Sequence, residues 1–174
     1  MHARAFAPLL ALACLLSLVS ASLYPGPSFS GPSPDLAGTV VRVVDGDTVH
    51  VRLGDRVEKV RYIGIDTPET HHPTRGEEPG GRAATEVNGR LVGDRAVRLE
   101  PDVQLRDRHG RLLAYVWVTR PAGGELMVNA EMVRLGYAQV MTVPPNVRHA
   151  ELFRKLAAEA REHHRGLWAQ PPRP

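Results

Sequence analysis

The stretch TVVRVVDGDTVHVRLGDRVEKVRYIGIDTPE, residues 39–69, has the period of strands, interrupted by residues that turn chains. Val41 and Val43 alternate with Val40, Arg42 and Val44. Beyond Asp45-Gly46, Val49, Val51 and Leu53 share one face while Thr48, His50 and Arg52 share the other. A period of two marks a strand that buries one face. Asp-Gly is favoured in tight turns because both residues tolerate unusual backbone angles. Gly54-Asp55 reads as a second turn and Val57 to Ile65 as a third strand. Asp66-Thr67-Pro68 ends that strand, since proline has no amide hydrogen to give to a ladder.

Polar residues at the edges of these strands carry the chemistry. Asp45, Asp47 and Asp66 stand where strands meet turns, and Thr67 and Glu69 follow at once. Hard cations such as calcium take oxygen ligands, which carboxylates at turns supply with little reach. Either Asp47 or Asp66 alone reads as a turn cap; with Asp45, Thr67 and Glu69 the set reads as a metal-plus-phosphate site. Glu69 lies three residues beyond Asp66, close enough to act as general base on a water near such an ion. Taken alone, Thr-Pro-Glu would be a solvated loop. Arg61 interrupts an otherwise apolar strand. A buried guanidinium needs an anion, either a structural acid or a substrate phosphate gripped by two parallel hydrogen bonds. Arg111 follows the turn Asp107-Arg108-His109-Gly110, which presents it at the start of a strand.

Farther along, 71–81 is a polar loop, and a helix is predicted over 82–92 with Ala83, Val87 and Leu91 on one face. Strands follow at 96–100 and 112–118. A second helix spans 127–135 and stops at Gly136, a usual helix terminator. A third spans 147–165 with the stripe Leu152, Phe153, Leu156, Ala157 and Ala160. Five short strands with helices between and after them suggest a closed barrel of α+β, mainly β, class, such as the five-stranded oligonucleotide-binding (OB) fold.

The chain has 174 residues, enough for one domain with a real core, and a net charge of only +3. An anionic partner must therefore be bound by local placement of charge. Residues 1–21 read as an export signal: Arg4, an apolar run from Ala5 to Val19, and small residues before a cleavage point at Ser22. The single cysteine, Cys14, lies inside that run, so lipidation there or an uncleaved anchor are the other readings. Residues 22–36 form a Pro/Ser/Gly linker, 37–170 the domain and 171–174 a tail. The pairs His71-His72 and His163-His164 are not a zinc motif: adjacent side chains diverge, and no His-Glu-x-x-His or cysteine accompanies them. His71 and His72 are expected beside the site.

Four ordered blocks, VDGDTV at 44–49, RYIGIDTPET at 61–70, DRHGRLLAY at 107–115 and MVNAEMVRLGYA at 127–138, resemble the staphylococcal nuclease (thermonuclease) family. The resemblance covers roughly residues 38–168. It implies the OB-fold barrel with three helices, and a secreted, calcium-dependent nuclease that hydrolyses phosphodiester bonds in DNA and RNA to products ending in 3′-phosphates. It further implies calcium held by Asp47, Asp66 and the Thr67 carbonyl, with Asp45 in the outer shell. Glu69 would serve or position the attacking water, and Arg61 and Arg111 would contact phosphate. A monomer is expected, with periplasm or medium as destination. The alternatives are a non-catalytic nucleic-acid-binding barrel and an envelope-attached interaction domain. One departure stands out: the family's base-stacking tyrosines would fall within Gln139 to Pro145, which has no aromatic residue.

Overall fold

A computed structural model describes residues 35–70 and 76–169. The expected signal, most of the linker, His71-His72 and the tail lie outside the described residues. Strand β1 (Leu36–Val43) pairs antiparallel with β2 (Thr48–Leu53), which pairs antiparallel with β3 (Arg56–Tyr62). Asp45-Gly46 and Gly54-Asp55 make the two turns, as their sequences require. The two-residue β4 (Ile65–Asp66) follows, then α1 (Gly81–Val92), β5 (Ala96–Glu100), β6 (Leu112–Thr119), β7 (Glu125–Met127) and α2 (Val128–Arg134). Last come β8 (Gln139–Val140), α3 (Ala150–Glu162) and a 3₁₀ turn at Gly166–Trp168. The sheet runs β3-β2-β1-β5-β6, and a parallel pairing of β3 with β6 closes it into a five-stranded barrel. β7 extends β6 beyond the ring.

The barrel is filled by Val49, Val51, Val60, Leu99 and Val116, all fully buried. Each such side chain contributes roughly 1.5–3 kcal/mol through removal of apolar surface from water. α2 seals the structure with Val128, Met132 and Val133, and α3 adds Phe153, Ala157 and Ala160. The buried Asn129 ties α2 to the barrel: its Oδ1 accepts from the Val116 amide at 2.8 Å and its Nδ2 donates to the Ile63 carbonyl at 2.9 Å.

Several expectations are corrected. β1 carries a bulge between Val40 and Arg42. The extra residue leaves Val41 and Arg42 both outward, so Val40 and Val43 face inward, against the simple alternation. A bulge adds one residue to one strand only, so the facing set changes phase. The third strand stops at Tyr62, because Gly64 adopts φ 81° and redirects the chain; Ile65–Asp66 pairs instead with β8. That pairing, β7 and β8 itself are too short to have a readable period. The inner face of α1 is Ala84, Val87, Asn88 and Val92, one residue on from the expected face. α3 is shorter at both ends. Arg148 and His149 are drawn into bonds with Asp102 and Glu100 instead of the helix, and His164 at φ 51° ends it.

Candidate active site

The turn between β1 and β2 puts Asp47 at the rim of the barrel with its carboxylate buried, 4 % exposed. Asp47 Oδ2 accepts from the Thr67 amide at 2.9 Å and the Thr67 hydroxyl at 3.1 Å; Oδ1 accepts from the Thr48 hydroxyl at 3.0 Å. Gly46 permits this docking: a Cβ there would stand 2.7 Å from the Thr67 hydroxyl oxygen. Burial pushes the Asp47 carboxyl up to about 7, against the lowering pull of Arg61; the neighbouring Asp45 charge adds to the rise.

Arg61 points outward from β3, the side away from Val60, and the β4 segment folds over it. Its Nη1 donates to the carbonyls of Tyr62 at 2.9 Å and Ile65 at 2.8 Å. Its Nη2 lies 2.8 Å from Asp66 Oδ1 and 3.2 Å from Asp47 Oδ2. The anion that this buried guanidinium requires is thus present in the protein as a pair of acids. Asp66 itself is exposed, so the pair is half-open to solvent.

Asp45 takes the capping role: its Oδ1 accepts from the Asp47 amide at 3.1 Å. With Lys59, Glu69, His109 and Arg111 it lines an open cleft. Glu69 is exposed there, and its backbone is anchored through Glu78, whose amide donates to the Glu69 carbonyl at 2.9 Å. A second, smaller pocket lies alongside, lined by Arg61, Gly64, Asp107, Arg111, Met141 and Val143 among others. Arg111 borders both. Asp107 holds it, accepting from Arg111 Nε at 2.6 Å and from its amide at 2.9 Å, which leaves both terminal nitrogens without a partner among the described residues.

Asp47, Asp66, Thr67 and Arg61 therefore form one hydrogen-bonded cluster, while Asp45, Glu69 and Arg111 share one cleft. Three residues act as positioning groups that the sequence reading did not assign, although Thr48 and Asp107 lie within its motifs. Asn88 of α1 accepts from the Tyr62 hydroxyl at 3.0 Å and donates to the Asp45 carbonyl at 2.8 Å, fastening the turn to the helix. Asp107 orients Arg111, and Thr48 orients Asp47. Only Asn88, a polar residue at an apolar helix position, could have been picked out.

Among the described residues no three carboxylates, histidines or cysteines converge as a ready-made metal cage. The metal-binding groups that do converge, the carboxylates of Asp47 and Asp66 on either side of Arg61 Nη2, offer only oxygen. Burial raises the Asp47 carboxyl to about 7 even with Arg61 beside it, so a further positive charge would favour its ionised form. This chemistry fits a hard cation rather than a thiophilic metal.

Residues 59–170 match the family described as staphylococcal nuclease homologue. The chain is 36 % identical over 143 residues to a thermonuclease of Staphylococcus intermedius, covering 80 % of this chain and 82 % of that one. It is 35 % identical over 130 residues to a thermonuclease of Staphylococcus hyicus, covering 75 % and 74 %. It is also 34 % identical over 133 residues to Endonuclease YncB of Bacillus subtilis, covering 76 % and 61 %. With the barrel, its three helices and the acid–arginine cluster at its rim, these likenesses show that the chain is a hydrolytic nuclease and belongs to the staphylococcal nuclease family.

Proposed function

We propose that the chain is an exported, calcium-dependent phosphodiesterase that cleaves DNA and RNA by attack of water on phosphorus. The observation that carries this reading is the convergence of Asp47 and Asp66 on Arg61, next to a cleft shared by Glu69 and Arg111. Asp47, Asp66 and the Thr67 carbonyl would hold the cation, with Asp45 nearby. Bound calcium supplies Lewis acidity at a phosphate oxygen and offsets its charge. The export reading rests on residues 1–21.

The protein's own groups do the rest. Arg111, fixed by Asp107 through Nε, keeps two terminal nitrogens for the paired contact that a phosphate accepts. Those donors face the charge that grows on the equatorial oxygens as the fifth bond forms. Glu69 takes the proton of the attacking water. The new P–O bond forms as the bond to the leaving oxygen breaks, and that oxygen takes up a proton from solvent. Arg61 Nη2, held between Asp66 and Asp47, is the second guanidinium group that would meet a substrate phosphate at this rim. The pocket beside it offers Met141 and Val143, an apolar but non-aromatic surface, to a flanking base.

The test is cleavage of single-stranded DNA and RNA in calcium and in chelator, for the wild type and Glu69→Gln. Calcium-dependent cleavage that Glu69→Gln loses is expected. Equal cleavage in chelator would overturn the metal assignment, and binding without cleavage in calcium would leave a nucleic-acid-binding barrel.

A further inference from the structure

The outward face of β1-β2-β3 carries a row of bases in register. Arg42 on β1 is the cross-strand partner of His50 on β2, and His50 is the partner of Lys59 on β3. Side chains two apart on a strand share a face, so this row lies directly beside the row Thr48–Arg61. On its other side lies Arg52, paired with Val57. The β1 bulge at Val41 is what brings Arg42 onto this face.

Three features set the row apart. No cross-strand partner within it is acidic, although like charges directly opposite one another destabilise a sheet. Burial, then Arg42, then Lys59 hold His50 below its ordinary value, as expected of a group crowded by cations. And Arg42, Arg52 and Lys59 have no carboxylate partner among the described residues. By contrast Arg61, Arg98, Arg106, Arg111, Arg134 and Arg148 each face one. Of these three, Lys59 already lines the cleft of Glu69 and Arg111.

We infer that Lys59, His50, Arg42 and Arg52 form a phosphate track that carries a single nucleic-acid strand away from the cleft across the outer face of the barrel. The row spans two strand spacings, about 10 Å, so it grips the backbone beyond the bond that is cut. It reads charge and not sequence, because phosphate contacts position a strand without distinguishing its bases. The inference rests on the proposed nuclease reading for the identity of the polyanion.

The experiment compares wild type with Arg42→Gln/Arg52→Gln, two exposed positions where glutamine fits a strand, with the fold checked by thermal unfolding. Binding of a fluorescein-labelled 20-mer DNA is measured in chelator, so it does not depend on cleavage, across a salt series. Each phosphate contact removed lowers the log–log salt slope by about 0.7 on a single strand. The variant should therefore lose about 1.4 of slope and, at 0.15 M salt, about tenfold in affinity. In calcium, the ratio of kcat/KM for the 20-mer to that for a dinucleotide should fall by a similar factor. An unchanged slope and affinity in the folded variant overturn the track, as does a wild type that does not bind the 20-mer. A variant that binds the 20-mer normally but loses binding to anionic phospholipid vesicles overturns it in favour of a membrane surface. If the wild type binds the 20-mer and the variant does not, while neither cleaves in calcium, the track stands and the catalytic reading fails.

Discussion

Asp47→Asn should make the calcium-free protein more stable, and increasingly so as pH rises from acid to neutral. The carboxyl is 4 % exposed, and burial raises it to about 7, from about 3.9 in an unfolded chain. Between those values the native state holds a proton that the unfolded state has released. Stability therefore falls as pH rises through that window, by about 1.4 kcal/mol per unit and about 4 kcal/mol in all. Asparagine carries no charge at any pH. Its Oδ1 can still accept from the Thr67 amide, its Nδ2 can donate to the Thr48 hydroxyl, and Arg61 keeps Asp66. At pH 8 the variant should gain about 2–4 kcal/mol, which for a domain of this size is about 10 °C in Tm. At pH 5 the gain should shrink to on the order of 1 kcal/mol. The assay is thermal unfolding of both proteins in chelator at the two pH values, then with added calcium. Calcium should raise the wild-type Tm and leave that of Asp47→Asn unmoved. Equal Tm values in chelator at pH 8, or a difference independent of pH, would refute the claim that this carboxylate is held against its preference.

Arg111→Lys should cost about 10²–10³ in kcat, because an ammonium cannot make the paired contact. Asp107→Asn should cost less and be read in the same steady-state assay, since it loosens the guanidinium without removing it. Arg61→Lys should lower both activity and stability, as it breaks four contacts to carbonyls and carboxylates; a fully stable Arg61→Lys would contradict the described cluster. Glu100 is pulled up by burial but held below the usual carboxylate range by hydrogen bonds from Arg148, His149 and Trp117. Its contribution is present above the unfolded value and lost as pH falls through the lowered folded one. Glu100→Gln should therefore cost about 1–3 kcal/mol at pH 7, with urea midpoints converging below about pH 4. Thr142→Tyr, in the segment that lines the smaller pocket, should tighten oligonucleotide inhibition by about 1–3 kcal/mol if the ring stacks on a base; identical inhibition constants at every salt concentration would place the base contacts elsewhere.

What could be read from the chain beforehand follows physical range. The strands around Asp45-Gly46 and Gly54-Asp55 were legible because period and turn chemistry are local. So were the acids and arginines of the rim, whose motifs are contiguous. The partners that hold them were not. Nothing near Arg111 says that Asp107 turns back onto its Nε, and nothing near Asp45 points to Asn88, 43 residues away. The bulge at Val41 escaped because every residue from Val40 to Val44 except Arg42 is valine, so either phase of burial looks equally apolar. Arg61 was left open between a structural acid and a phosphate; its side chain is engaged by two carbonyls and two acids, which makes the structural partnership real before any substrate arrives.

The seam that closes the barrel has a consequence for how the enzyme fails. β3 meets β6 through only three residue pairs, Val60–Leu112, Arg61–Leu113 and Tyr62–Ala114, whereas six join β2 to β3. Parallel pairing is also the weaker kind per residue. Arg61 sits in that seam and Arg111 just before it, so the distance between the two arginines is a measure of whether the seam is shut. Proteins open locally at their least stable joints well before they unfold as a whole. Heating should therefore silence this molecule while its helices and the β1-β2-β3 unit are still intact, and cooling should restore activity at the rate of a zipper closing rather than of a chain refolding.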